Sequence, residues 1–443
     1  MLRKFIEFLK GVWNRMFSRE ILKKSVGHEI SISQFMVRKI EEWDLMLKGE
    51  AEWCTDDIKS LKLESEICKE FANVTLSEME VKIDNEKLDK VFNDSIKGLN
   101  EAFQNALGLG SFVIKPLGEN KVEYINADNI IPIEFSASGR LIKCAFIQTK
   151  IIGEDYYYRI ESHFLNKGGL TITNKAFKGK KGQLGGETLL NNIEEWANLP
   201  KEITYPKMDR VAFGYYRNPI PNRIDKSFNG VSIFENAIEH IKKADIQNAR
   251  LDYEYDSAER AVFADWTTVR KDKDNKLSLP TRRKKLFIGV EKEDAIDTFN
   301  PEIRDSNFIQ GLNEYLRRVE FNCSLAYGDL SKNEVVDKTA TEIKASKKRK
   351  YDMVNAIQNN LKDCLEDLCY ALAFYNGLYT SNFNFTCNFK DSILTDEEVE
   401  RAQDRQDVAM GVMSLVEYRM KWYGEDEATA AKKIPEPVNE VLE

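Results

Sequence analysis

Residues 31–107 combine Glu/Lys-rich faces with few helix breakers. They predict helix up to "ALGLG", where Gly108 and Gly110 supply the backbone freedom that a helix stop requires. Then the spacing changes. "SFVIKP", "KVEYINADNIIPIEF", "RLIKCAFIQTKII", "DYYYRIESHFL" and "GLTITNKAF" are β-branched and aromatic runs parted by "ASG" and "NKGG", and they predict an antiparallel sheet from about 111 to 177. "KGKKGQLGGE" reads as a polar loop and "RNPIPNRID" as a Pro-punctuated one. From Gly230 a broken apolar stripe (Phe234, Ala237, Ile238, Ile241, Ala244, Leu251, Tyr255, Ala258, Val262) predicts a helix of about 30 residues, roughly 45 Å long, which outgrows a small domain. Residues 263–298 are short, charged and strand-like. Asn300 and Pro301 then form an N-cap and N1 pair for a returning helix through Ile309, Leu312, Leu316, Val319 and Cys323.

"YGDLSKNEVVD", 327–337, lacks periodicity and reads as a loop of about ten residues, longer than the usual connection. Thr339 can cap the next helix while Glu342 reaches back, a capping box. That helix is expected to run to about Asn376 and Gly377, with Ile357, Leu361, Cys364, Leu365, Leu368, Leu372 and Tyr375 on its apolar side. A second box, Thr395 with Glu398, opens a helical C-terminal region. At the other end, Leu2, Phe5, Ile6, Leu9, Val12, Trp13 and Met16 form one face of an amphipathic helix, suited to packing on protein or to lying on a membrane surface. The fold class is α+β, mainly helical.

Length and charge refine this picture. A chain of 443 residues has room for two to four folding units. Its net charge of −8 is unevenly placed: residues 391–443 hold fourteen Asp/Glu against six Lys/Arg, residues 270–285 hold eight Lys/Arg against two Asp, and 338–350 hold six basic side chains and one acid. Seven cysteines without a CxxC read as free thiols of a reducing compartment, and three histidines leave little material for zinc or a His-based triad. No run of about 18 uncharged apolar residues occurs, so no stable membrane insertion is expected.

The motifs that suggest chemistry are incomplete. "GKKGQLGG" lacks the GxxxxGK[ST] of a phosphate cradle, and "DKDNK" has Lys276 where a calcium ligand is needed. Acids in "LTDEEVERAQD" are accounted for by a helix cap and dipole. No catalytic residue, metal or cofactor is expected. The basic helix start offers phosphate attraction, but no aromatic side chains are interleaved through 339–350 for base stacking.

Five segments in order, "ALGLGSFVIKP", "NPIPNRID" with "GVSIFENAIEHIKKAD", "FNPEIRDSNFIQGLNEYLRRVEFNCSLAYGDLS", "DKTATEIKASKKRKYD" and "MGVMSLVEYRMKWYGEDEATAAKKI", resemble phage portal proteins of the siphophage type from phages of Gram-positive bacteria. The resemblance implies a non-enzymatic ring, twelve-fold in the assembled capsid, that passes double-stranded DNA at one vertex of the virion after assembly in the host cytoplasm. Its parts would be a wing (1–229), a stem helix (230–262), a clip (263–298), a returning stem helix (299–326), a tunnel loop with a long wing helix (327–390) and a crown (391–443). The tunnel loop would comprise Gly328, Asp329, Leu330, Ser331, Lys332, Asn333, Glu334, Val335, Val336 and Asp337. Lys332 and Lys338 would lie nearest DNA, while Lys344 to Lys350 would mostly face adjacent protein. In the clip, Arg270, Lys271, Lys273, Lys276, Arg282, Arg283, Lys284 and Lys285 would form a docking surface or face DNA. Implied partners are further copies of the chain, the large terminase subunit, a head-completion or adaptor protein, and the major capsid and scaffolding proteins. Two other classes compete: a nucleic-acid-binding accessory protein built on the basic segments, whose affinity would fall steeply with salt, and a carboxylate-dependent nuclease, which would need magnesium or manganese.

Overall fold

The computed structural model describes residues 19–77, 79–118, 120–206, 208–257, 261–265, 285–289, 296–299, 302–332, 340–379, 383–389 and 397–434. Two compact units are present, one of residues 1–77 with 81–387, the other of 78–80 with 388–443. At 47% helix and 23% strand the chain is α+β.

The N-terminal region is helical, but less continuously than its spacing predicts. Its helices are α1 (Arg19–Val26), α2 (Gln34–Leu47), α3 (Leu63–Leu76), α4 (Glu86–Ser95) and α5 (Leu99–Leu109). Ser33 and Asn85 cap α2 and α4 by accepting the N–H groups of Met36 and Leu88 at 3.1 Å. The expected helical span is broken by the 48–62 loop and by strand β1 (Met79–Ile83), which pairs with β14 (Phe385–Phe389). "MEVKI" alternates as a strand should, but its partner is about 300 residues away, beyond any local reading.

Strands β2 (Ser111–Pro116), β3 (Val122–Asn126) and β10 (Gly214–Arg217) form a three-stranded antiparallel sheet in the order β10-β2-β3, with every residue of β2 buried. The larger sheet is an antiparallel meander of β4 (Ile130–Phe135), β5 (Leu141–Ile152), β6 (Asp155–Asn166), β7 (Gly169–Lys180) and β8 (Gln183–Thr188), with β9 (Glu202–Tyr205) also on β7. Here "KGKKGQLGGE" is hairpin, not loop. Its glycines let the strands approach closely: a Cβ on Gly185 would lie 2.0 Å from the Lys178 carbonyl oxygen. On β6, Glu161 accepts from Lys115, Arg159 and His163 at 2.8, 3.0 and 2.8 Å. Burial opposes the charge of Glu161, but Lys115, His163 and Arg159 outweigh it and hold the carboxyl well below its ordinary value. All seven cysteines are free, and six are buried.

Helix α6 (Ile238–Ser257) follows a short 3₁₀ turn, Glu235–Ala237, and has 20 residues, about 30 Å. It is shorter than expected because residues 230–234 are extended or turned and Val262 already belongs to β11 (Ala261–Asp265); Ala258 lies outside the described residues. Strands β12 (Lys285–Gly289) and β13 (Ile296–Phe299) flank β11, parallel and antiparallel respectively. The chain returns in α7 (Asp305–Cys323), whose N-cap position is Arg304; Asn300 and Pro301, the expected start, lie outside the described residues. Glu254 of α6 pairs with Arg304 at 2.8 Å and Gln247 donates to the Phe308 carbonyl at 3.2 Å, so the two helices run antiparallel.

Helix α8 (Ala340–Tyr375) packs on β10, β2, α3 and α4. Ile357, Leu361, Cys364, Leu365, Leu368 and Leu372 are fully buried, as the apolar spacing predicts, each large aliphatic group contributing about 1.5–3 kcal/mol; Tyr375, expected on the same side, is only half-buried, and Val354, outside the expected set, is buried with them. Gly377, at φ +71°, stands just past the helix end. No helix among the described residues is long and apolar enough to cross a membrane.

In the second unit, α9 (Glu397–Ala409), α10 (Leu415–Tyr423) and α11 (Glu427–Lys432) are joined by polar contacts. Asp404 accepts from Trp422 Nε1 at 2.7 Å and Lys421 at 2.6 Å, and Arg401 and Arg405 donate to the Tyr418 hydroxyl at 3.2 and 3.1 Å. Thr395 and the Glu398 side chain lie outside the described residues, whereas Ser414 and Glu417 form a full capping box on α10. The S-x-x-E spacing in "SLVE" was the available signal.

Candidate functional site

The expected tunnel loop falls between α7 and α8. The last turn of α7 buries Glu320, and the chain folds back over its carboxylate: the N–H groups of Gly328, Leu330 and Ser331 donate to Oε1 at 3.0, 2.7 and 2.7 Å, and the Ser331 hydroxyl donates to Oε2 at 2.8 Å. Charge-assisted bonds of this kind each contribute about 1.5–3 kcal/mol. Gly328 takes φ +100°, which lets the turn close. Asn313 of α7 then accepts the Lys332 N–H at 2.7 Å. Residues 328–332 are therefore a fixed turn rather than an open loop, and Ser331 is buried within it; Lys332 keeps an exposed side chain. Asn333, Glu334, Val335, Val336, Asp337, Lys338 and Thr339 lie outside the described residues, as does the side chain of Glu342; α8 starts at Ala340, directly after Thr339.

The basic start of α8 separates into distinct roles. Lys347 and Lys348 are exposed. Arg349 lies over the rings of Phe321 and Tyr327, 4.8 and 5.2 Å from their centroids. Lys350 is buried and pairs with Glu70 of α3 at 2.6 Å and Asp329 of the turn at 3.0 Å. Burial disfavours its charge, but the two carboxylates more than compensate and hold the ammonium above its ordinary value. Arg349 and Lys350 thus face protein of their own chain. Of the basic residues expected on a docking surface, Arg270, Lys271, Lys273, Lys276, Arg282, Arg283 and Lys284 lie outside the described residues, and Lys285 is placed only by its backbone, at the start of β12.

A second junction joins the first two of the five segments that carry the resemblance. Buried Asn218, from "NPIPNRID", donates through Nδ2 to the carbonyls of Leu107 at 2.7 Å and Val231 at 2.8 Å, accepts the Tyr216 hydroxyl at 2.9 Å, and donates its own N–H to Gly110 at 2.9 Å. "ALGLG" and "GVSIFENA" meet there backbone to backbone: a Cβ on Gly110 would lie 2.4 Å from the Gly230 oxygen. Below it, Trp43 of α2 donates to Glu235 at 2.7 Å. This junction fixes the root of α6.

Glu320, Asn313 and Glu70 were not singled out by sequence, since each sits in an ordinary helical pattern. The aperiodic "YGDLS" that follows marked a loop but not the acceptor that holds it. Among the described residues no group of three His, Cys, Asp or Glu is placed to hold a metal ion. No family model matches the chain, and no curated protein matches it.

Proposed function

We propose that the chain is the subunit of a portal-type ring that conducts double-stranded DNA and carries no chemistry of its own. The observation that supports this reading best is the order of parts: antiparallel helices α6 and α7 joined through a small three-stranded sheet, then a turn pinned at Glu320, then the long helix α8. Tyr253, Tyr255 and Ile303, near the sheet-side ends of the helix pair, and Phe321 at its other end are large apolar side chains that one copy leaves exposed. Neighbouring copies in a ring would cover them. The large terminase subunit, an adaptor protein, and capsid and scaffolding proteins would be the docking partners, with the clip and crown as their surfaces.

Negative-stain images of the purified protein should show closed rings with a central hole, and persistent monomers at high concentration would sink the proposal. Tyr253→Glu, at a side chain 72% exposed, should leave subunit stability within about 0.5 kcal/mol and reduce ring yield. The nucleic-acid-binding alternative has less support, because Arg349 and Lys350 are engaged inside the chain.

A further inference from the structure

Glu64 stands in the first turn of α3, completely buried, and neither of its carboxylate oxygens accepts a hydrogen bond from another described residue. Buried Asp245 of α6 holds the 51–62 loop, whose Leu61 lies three residues before Glu64: Oδ2 accepts Trp53 Nε1 and Oδ1 accepts the Leu61 N–H, both at 2.8 Å. The titratable groups that face Glu64 are Asp245 from α6, Cys54 from the loop, Cys68 from α3 itself and Cys323 from the end of α7. None of these four is a cation; Lys59 acts on Cys54.

We propose that Glu64 and Asp245 form a proton-operated latch, which holds the 51–62 loop on the root of α6 while Glu64 carries its proton and loosens when the proton leaves. An ionised Glu64 would place a second negative charge, without a counter-ion, beside the carboxylate that anchors the loop. Burial pushes Glu64 up to about 7, against the pull of its own backbone N–H and with a smaller push from Asp245. Burial raises Asp245 too, against the pull of the Leu61 and Trp53 donors. Burial also raises Cys54, Cys68 and Cys323, so these thiols stay protonated near neutrality. The latch needs no assumption about rings or DNA.

The sign of the effect follows from linkage. Opening the loop, which runs into α3 at Lys62, would admit water to Glu64 and return it toward its ordinary 4.5; with the loop closed its value is raised to about 7. Between these values the open state sheds a proton that the closed state keeps, so opening becomes easier by up to about tenfold per pH unit, and above 7 the dependence ends.

Hydrogen exchange on the full chain from pH 5.5 to 8.5, corrected for intrinsic rates, tests this on a peptide covering 51–62. Opening should rise about tenfold from pH 5.5 to 6.5 and level off above 7, while a β6 peptide stays flat. Glu64→Gln should abolish the rise; Glu64→Met, which needs no polar partner, repeats the test should the amide disturb folding. A flat wild-type profile, a rise that persists in both variants, or a rise shared by β6 would each overturn the latch.

Discussion

Asn218 shows how much one side chain can decide. It satisfies two carbonyls and a tyrosine hydroxyl in a site closed to water. Asn218→Ala should lower stability by about 3 kcal/mol, because the partners stay buried without a bond. Asn218→Asp should be worse at pH 7, since it turns a carboxylate oxygen toward the carbonyls of Leu107 and Val231. Urea unfolding of both variants checks the order; aspartate milder than alanine would contradict it. Glu320 gives a second test. Glu320→Ala strands three N–H groups and should cost about 3–5 kcal/mol. Glu320→Gln should cost only about 1–2 kcal/mol, because its oxygen can take the N–H groups while its NH₂ donates to Ser331 Oγ. Equal losses for the two would show that the turn does not depend on this acceptor.

Among the elements, legibility tracked how local the signal was. The apolar side of α8, from Ile357 to Leu372, and the glycine beyond its end could be read directly, since helical spacing and a left-handed stop are properties of the segment itself. Strand β1 was missed because its pairing with β14 spans most of the chain, and β8 was missed because glycines that allow close strand contact resemble those of loops. The length of α6 was overestimated, as the apolar spacing continued from helix into β11. At the candidate site the turn's position was legible but not its rigidity, which comes from Glu320 reaching out of a neighbouring helix. Lys350 was legible as a charge, yet the acids that neutralise it lie at positions 70 and 329.

The first unit is organised around α8, which covers β2, β10, α3 and α4 together. A chain ended after residue 332 would leave these faces uncovered. It should lack the protease-resistant core of the full protein; limited proteolysis showing an equally stable fragment would refute this. The same arrangement sets a timetable for synthesis. At about 5–20 residues per second, β2 emerges from the ribosome roughly 10–50 s before α8 is complete. During that interval the early helices and sheets have no lid. The nascent protein should therefore depend on chaperones up to the moment its last third appears, and slow translation between residues 120 and 375 should reduce its soluble yield.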